Sequence, residues 1–535
     1  MKKIVLIALM ALPFFATAQL GTPCQTQFPP ETGAQLDAWA QEYYSTANQA
    51  ARRLSPLVTQ KDVPMAVHLV ANTDGTKQLL ASNMLNMLCQ VNNDYDTLAI
   101  KYWLHTLDLT LCKNDTWNDP PTGNTAYQST MPLGARKVSN VINSYLHGGG
   151  GNTGLCGVAP GASFTNGSPP NPGTVSCFGS CMGNSKTWSH ELGHRLSLPH
   201  TFYGLEGGAN MLCSTPSVVG PAGSENYART GVDANWNTTG DRIGDTYPDY
   251  NPDRWSGTNC ESCDVKDRKG VTFKIDETNI MGYGSDGCAS LFTKGQKDKM
   301  HSFMTSISTS NSNALFNSAG VPIVAKPVEA APAMPTLVYP AEAQEFAAAT
   351  AVADLQWTAS PGAWQYIVQI SRKSSFTFST LYPGTTTDDL EFVVNTNTLP
   401  AALFQSKLRN NFLYNWRVFA FNRTNFCLNW TPRGTFYTKL VSTSNAIAGL
   451  DGLELVPNPT AGDNVTMQLS LTEAMDVNVS MLNVAGQVVR SLPKTRLTEG
   501  EQTINLDVQN LANGIYFVQL LNERGIRTER LVISR

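Results

Sequence analysis

Hydrophobic and polar positions divide the chain into stretches of different period. Residues 1–18 open with Lys2 and Lys3, continue as an apolar run and end in Ala16-Thr17-Ala18, the small-x-small pattern read by signal peptidase. That run is shorter than the ~20 residues a bilayer span requires, so a removed signal peptide is expected rather than an anchor. Residues 19–60 are largely polar, with a helix-like stretch around 36–54 that contains the basic pair Arg52-Arg53, and are read as a pro-segment. Residues 61–312 mix strand-like apolar runs, such as 65–70 and 107–111, with helical stretches. The following Pro- and Ala-rich sequence, placed as a linker at 313–335, predicts an extended connector.

Beyond the linker the period changes to two. Alternating runs at 355–357, 366–370, 414–421 and 435–438 predict a β-sandwich over 336–440, with Trp357 and Trp416 as core anchors. A second set at 465–471, 477–482, 502–506 and 516–521 predicts a separate small sandwich over 450–535, with tight turns at Gly486 and Asn513-Gly514. The expected fold class is therefore multidomain, an α+β domain followed by two all-β sandwich modules.

Charge narrows the partners. With 38 basic and 42 acidic residues among 535 the net charge is -4, and no basic run is long enough to follow a phosphate backbone, so no nucleic acid is expected. No later run has spanning length, so the mature chain is expected to be soluble, without a membrane span. Ten of the eleven cysteines precede residue 300, which predicts a disulfide-stapled N-terminal domain in an oxidising compartment, with Cys427 standing alone. Cys177/Cys181 and Cys260/Cys263 are open to two readings, disulfides or a four-thiolate zinc site.

The candidate chemistry lies in Trp188-Ser189-His190-Glu191-Leu192-Gly193-His194-Arg195-Leu196-Ser197-Leu198-Pro199-His200. Residues four apart share a helix face, so His190 and His194 can present imidazoles to one ion. A third ligand at His200 requires the helix to stop, and Pro199 prevents continuation. Three imidazoles leave a zinc ion with a fourth position for water, the catalytic arrangement, and Glu191 is the candidate general base for peptide hydrolysis.

The segment resembles the metzincin motif HExxHxxGxxH, with Ser197 where the family has glycine. Glycine suits a left-handed turn there, and serine in that conformation costs ~1 kcal/mol. Asn279-Ile280-Met281-Gly282-Tyr283 resembles the family's Met-turn, which implies that Met281 supports the metal site and Tyr283 stabilises the transition state. His200-Thr201-Phe202, the segment from Gly240 to Thr246, and Cys288 with Phe292-Thr293-Lys294-Gly295-Gln296 are similar to the pappalysin/ulilysin-like metzincins. Tyr247 interrupts the family's Asp-Thr-Pro. The resemblance implies structural calcium at Asp241, Asp245 and Thr246, although two aspartates in a Gly-rich loop are also common turn formers.

Cys24 is open to two readings, a latency ligand to the zinc or a disulfide partner. Asp286 is likewise open, either a specificity carboxylate near the substrate pocket or an exposed loop residue. The 336–440 module resembles fibronectin type III. Residues 457–459 (Pro-Asn-Pro), 484–486, 513–516 and the ending Leu531-Val532-Ile533-Ser534-Arg535 resemble the C-terminal sorting domain of the type IX secretion system of Bacteroidetes. The whole predicts a secreted or surface zinc endopeptidase acting on protein or peptide substrates, handled by the type IX machinery and exported through the periplasm and outer membrane. The alternative is a non-catalytic surface protein that binds through its fibronectin-like module.

Overall fold

The computed structural model describes residues 32–45, 59–76, 79–106, 112–113, 138–148, 157–158, 174–178, 186–205, 219–250, 264–284, 287–306, 314–317, 319, 321–376, 378, 389–439, 447, 449–522 and 525–535. The signal segment, Cys24, Arg52-Arg53, Cys181, Cys260, Cys263, Asp286 and the 107–111 run lie outside them. The chain forms two compact units, one of residues 1–341, 354–400 and 414–435, the other of 342–353, 401–413 and 436–535.

The first unit is built on a mixed sheet. Strands β1 (Lys61–Ala71), β2 (Ile100–Thr106), β3 (Cys112–Lys113), β4 (Ile142–His147), β5 (Gly157–Val158) and β6 (Thr174–Phe178) run in the order β2-β1-β4-β6-β5, with β3 also on β1. All pairs are parallel except β5 on β6. β1 is buried from Val63 to Ala71, as a central strand covered on both faces must be. Helices α1 (Thr32–Tyr43), α2 (Ala81–Asp96), α3 (Thr187–Arg195) and α4 (Lys294–Ser306) accompany it, with a small hairpin of β7 (Asp264–Lys266) and β8 (Thr272–Lys274). Leu85, Leu88 and Val91 of α2, Leu192 of α3 and Met300 and Met304 of α4 share one core with Val63, Met65 and Leu69 of β1.

That core does not stop at the expected linker. Strands β9 (Leu337–Tyr339), β10 (Gln344–Phe346), β11 (Leu355–Trp357), β12 (Gln365–Ser371), β13 (Asp389–Val394), β14 (Thr398–Leu399), β15 (Phe412–Phe421) and β16 (Gly434–Thr438) make the second β region. Ile367, Phe419, Phe421 and Phe426 from it join the N-terminal core. Trp357 and Trp416 are buried as expected. Glu391 of β13 accepts hydrogen bonds from the Ser82 backbone N–H (3.2 Å) and hydroxyl at the start of α2, where a carboxylate favours the helix dipole.

Cys427, expected to stand alone, forms a disulfide with Cys89 of α2, Cα–Cα 5.2 Å. Sequence spacing does not reveal such a bond, because its partners lie 338 residues apart and meet only through folding. The Pro/Ala-rich stretch carries no helix or strand over 325–336 but is tied down: Lys326 pairs with Asp62 at 2.9 Å, and Asn422 donates to the Ala330 carbonyl at 2.7 Å. It therefore does not act as a free spacer.

In the second unit, β10 pairs in parallel with β16. The C-terminal part is a two-sheet sandwich of β17 (Leu450–Val456), β18 (Asn464–Leu471), β19 (Met475–Asn483), β20 (Val488–Ser491), β21 (Thr495–Leu497), β22 (Gly500–Asp507), β23 (Gly514–Asn522) and β24 (Gly525–Ile533). One sheet runs β17-β18-β22 and the other β20-β19-β23-β24. Val465, Met467 and Leu469 face Val477, Val479, Met481, Val518 and Leu520 across the core, following the predicted period of two. Gly486 turns at φ 79° between β19 and β20. Asn513-Gly514, expected as a tight turn, instead opens β23, and the Asn513 amide pairs with the backbone of Arg535.

Candidate metal centre

The site begins with α3. Trp188, Leu192 and Leu196 enter the core, which turns His190 and His194, four residues apart, to the other side of the helix. α2 and β4 hold its first turn: Tyr95 Oη donates to the Ser189 carbonyl (2.8 Å), Ser189 Oγ to Asp94 (2.5 Å) and Trp188 Nε1 to Ser144 Oγ (3.1 Å).

The helix ends in a Schellman turn. Ser197 N–H donates to His194 O and Leu198 N–H to Gly193 O, both at 2.9 Å, with Ser197 at φ 80°. The serine at the family's glycine position therefore adopts the left-handed conformation that glycine would favour. This reversal, rather than Pro199 alone, brings His200 back to the other two imidazoles.

One ligand atom from each of His190, His194 and His200 lies within 4.8 Å of the others, and among the described residues no further His, Cys, Asp or Glu joins them. His147 is buried on β4 outside the group. His190 Nδ1 donates to the Ile280 carbonyl and His194 Nδ1 to the Leu198 carbonyl, each at 2.7 Å. A ring that donates from Nδ1 and is neutral carries its lone pair on Nε2. Burial enforces neutrality, pushing His190 down to about 4 and His194 and His200 well below their usual value. His190 Nε2 is buried with no hydrogen-bond partner, and His194 Nε2 lies 3.1 Å from His200 Nε2. A buried lone pair beside two further imidazole nitrogens suits a cation such as zinc.

Glu191 is fully buried next to His190. A Cβ on Gly157 of edge strand β5 would lie 2.4 Å from Glu191 Oε1, so glycine is what lets that strand approach the carboxylate. Cys177, expected to form a disulfide or to bind zinc, is a free buried thiol on β6, and burial pushes it up. Cys288 is disulfide-bonded.

The 279–283 loop closes the site from the side. Met281 is buried, and a Cβ on Gly193 would meet its Sδ at 2.4 Å, so the methionine packs on the helix backbone between His190 and His194. The Met281 carbonyl accepts from Thr201 N–H at 3.2 Å. The Tyr283 ring lies 5.0 Å from His200 and 6.0 Å from His190.

Of the three residues expected to bind calcium, the structure brings Asp241 and Thr246 into contact. Asp241 is buried and accepts from Thr246 Oγ1 (2.8 Å) and Ile243 N–H (2.9 Å), yet burial still raises it to about 7. Asp245 turns to the first turn of α4, accepting from Thr293 Oγ1 and Gly295 N–H at 2.8 Å each. Buried Glu225, which no motif marks, pairs with Arg229 beside Asp241. Tyr247, the residue interrupting the family pattern, is half exposed and stacks on Tyr227 at 5.2 Å. Sequence reasoning also missed Asp249, which accepts from the Thr201 hydroxyl beside His200.

α1 packs on this side of the unit. Asp37 pairs with Arg242 at 2.9 Å, Gly244 N–H donates to Tyr44 Oη at 2.7 Å, and Lys299 Nζ lies 4.1 Å over the Trp39 ring.

Residues 454–534 match the secretion system C-terminal sorting domain family. That domain marks the chain for export to the cell surface or secretion by the type IX system, and implies interaction with its machinery. Among the described residues no helix is long and apolar enough to cross a membrane. The sequence has no match among curated proteins. Among solved structures, the chain is similar to PorZ, an essential bacterial surface component of the type-IX secretion system of Porphyromonas gingivalis, at 17% identity over 22% of this chain, with a TM-score of 0.13. The chain spans 15% of the length of PorZ. It is also similar to the FN1–FN3 domains of chicken CNTN1 (11% identity, 40% of this chain, 68% of that one, TM-score 0.15). A two-domain fibronectin type III segment of chicken tenascin matches at 12% identity over 38% of this chain and 99% of that one, with a TM-score of 0.13. At such scores the likeness extends neither to the whole fold nor to an activity.

Proposed function

We propose that the exported chain is a zinc-dependent endopeptidase of metzincin type, its α+β catalytic region lying within residues 61–312. The observation that carries this reading is the convergence of three buried imidazoles, one with an unpartnered Nε2, on and just after the helix that also carries Glu191. His190, His194 and His200 would hold the ion, which when bound supplies Lewis-acid polarisation of a carbonyl and a more acidic water.

The remaining work falls to side chains. Glu191, excluded from solvent, is the proton acceptor from the attacking water and the donor to the leaving amine. The Tyr283 hydroxyl, with its ring beside His200 and His190, is assigned to hydrogen-bond the developing oxyanion. The Ile280 and Leu198 carbonyls keep His190 and His194 in the ligand tautomer. Structural calcium at Asp241, Asp245 and Thr246 belongs to the same proposal, carried by the resemblance of the 240–246 segment, with Asp241 and Thr246 in contact and Asp245 reaching α4.

The test compares the purified chain with Glu191→Ala for zinc content and for casein cleavage, with and without chelator. The expected result is one zinc in each protein and a ~10²–10⁴-fold loss of cleavage in the variant, the usual cost of losing a general base. Zinc in both with cleavage in neither would refute the protease and favour a surface protein that binds through its fibronectin-like module.

A further inference from the structure

One buried polar pair close to the centre is used by neither ligation nor proton transfer. Asn279 and Gln296, 2% and 0% exposed, join side chain to side chain: Asn279 Nδ2 donates to Gln296 Oε1 at 3.2 Å and Gln296 Nε2 to Asn279 Oδ1 at 3.1 Å. Asn279 Oδ1 also accepts from Met281 N–H at 3.0 Å, and Gln296 Oε1 from Thr293 N–H at 2.8 Å. Gln296 thus ties the loop to the first turn of α4, which Asp245 holds in turn.

The loop in question supplies two of the contacts that orient the ligands. Between Asn279 and Met281 stands Ile280, whose carbonyl accepts from His190 Nδ1, and the Met281 carbonyl accepts from the residue after His200. With its own side chain engaged at both ends, Asn279 fixes the direction of those peptides. Amides buried in this way gain little net stability over apolar groups of the same shape, so their effect on fold and their effect on the ligands can be measured apart.

We propose that Gln296 is a positioning residue for the metal centre: through Asn279 it aims the Ile280 carbonyl at His190, and so sets how tightly the three histidines hold the metal. This rests on the metal reading above. The side-chain amide is the operative group, since the Thr293 N–H needs only an acceptor whereas Asn279 needs a donor and an acceptor together.

The experiment titrates zinc into the full metal-free chain against a chromophoric chelator, for wild type, Gln296→Met and Gln296→Glu, with thermal midpoints recorded on the metal-free proteins. Gln296→Glu, titrated also at a pH high enough to ionise it, keeps the acceptor and loses the donor, so it serves should Gln296→Met fail to fold. Val63→Ala, at an equally buried position on β1, is the control for general destabilisation. The zinc dissociation constant is expected to rise about 10–100-fold in the Gln296 variants, the usual effect of removing a partner behind a metal ligand, and to stay unchanged in Val63→Ala. Wild-type affinity in the folded Gln296 variants, or an equal weakening in Val63→Ala, would overturn the positioning role while leaving the metal site standing. A wild-type chain that binds no zinc would remove the metal reading and this inference together.

Discussion

Residues 450–535 and residues 187–201 bury their side chains by opposite rules. In the C-terminal sandwich β18 and β19 alternate inward and outward, and Thr460 is the one buried polar side chain among the described residues of that region. On α3 and the turn after it, Ser189, His190, Glu191, His194, Arg195, Ser197, His200 and Thr201 are all buried. The sandwich is specified by period, so many residues of the right polarity would serve at each position. The 187–201 region is specified by partners, since each buried polar group needs a hydrogen bond drawn from elsewhere in the chain. Chemistry concentrates where the apolar pattern is broken, and that region depends most on long-range structure.

Substitutions that act on one rule and spare the other sharpen this contrast. The largest expected effect is from Cys427→Ser, which opens the disulfide to Cys89 and should lower the stability of the first unit by about 2–5 kcal/mol. Calorimetry should show the transition of the first unit moving down while that of the C-terminal sandwich stays; a shift of both would show that their stabilities are not separable.

Next comes Gly193→Ala. On an exposed helix this change gains up to ~1 kcal/mol, whereas here the added methyl collides with Met281 Sδ, and a net loss of about 1–3 kcal/mol is expected. Urea denaturation of the metal-free protein decides the sign, and a gain would mean that Met281 is not pressed against the helix.

The smallest effect runs the other way. Ser197→Gly should stabilise the metal-free chain by ~1 kcal/mol, because glycine meets the φ of 80° without strain. An unchanged or lowered denaturation midpoint would show that the serine side chain contributes more in place than its backbone costs.

Much of the site was legible in local spacing. The offsets of His190, His194 and His200 need only one helix and one reversal, both set by nearby residues, and the Met281 loop carried its own motif. The strands of the terminal sandwich were equally plain, because a period of two is a local property. What escaped detection was relational. Nothing near Cys89 marks Cys427, nothing near Asn279 marks Gln296 as its partner, and no motif marks Glu225 beside Asp241.

The sequence by itself therefore determined the spacing of His190, Glu191, His194 and His200, the alternating strands and the sorting domain at 454–534. The tertiary structure decided that the second β region shares the core and a disulfide with the first unit, that Asp245 caps α4, and that Ser197 takes the left-handed turn presenting His200. The physical reason is range. Backbone period and helix geometry act over a few residues, whereas the burial of polar groups is resolved only when distant segments arrive together to complete their hydrogen bonds.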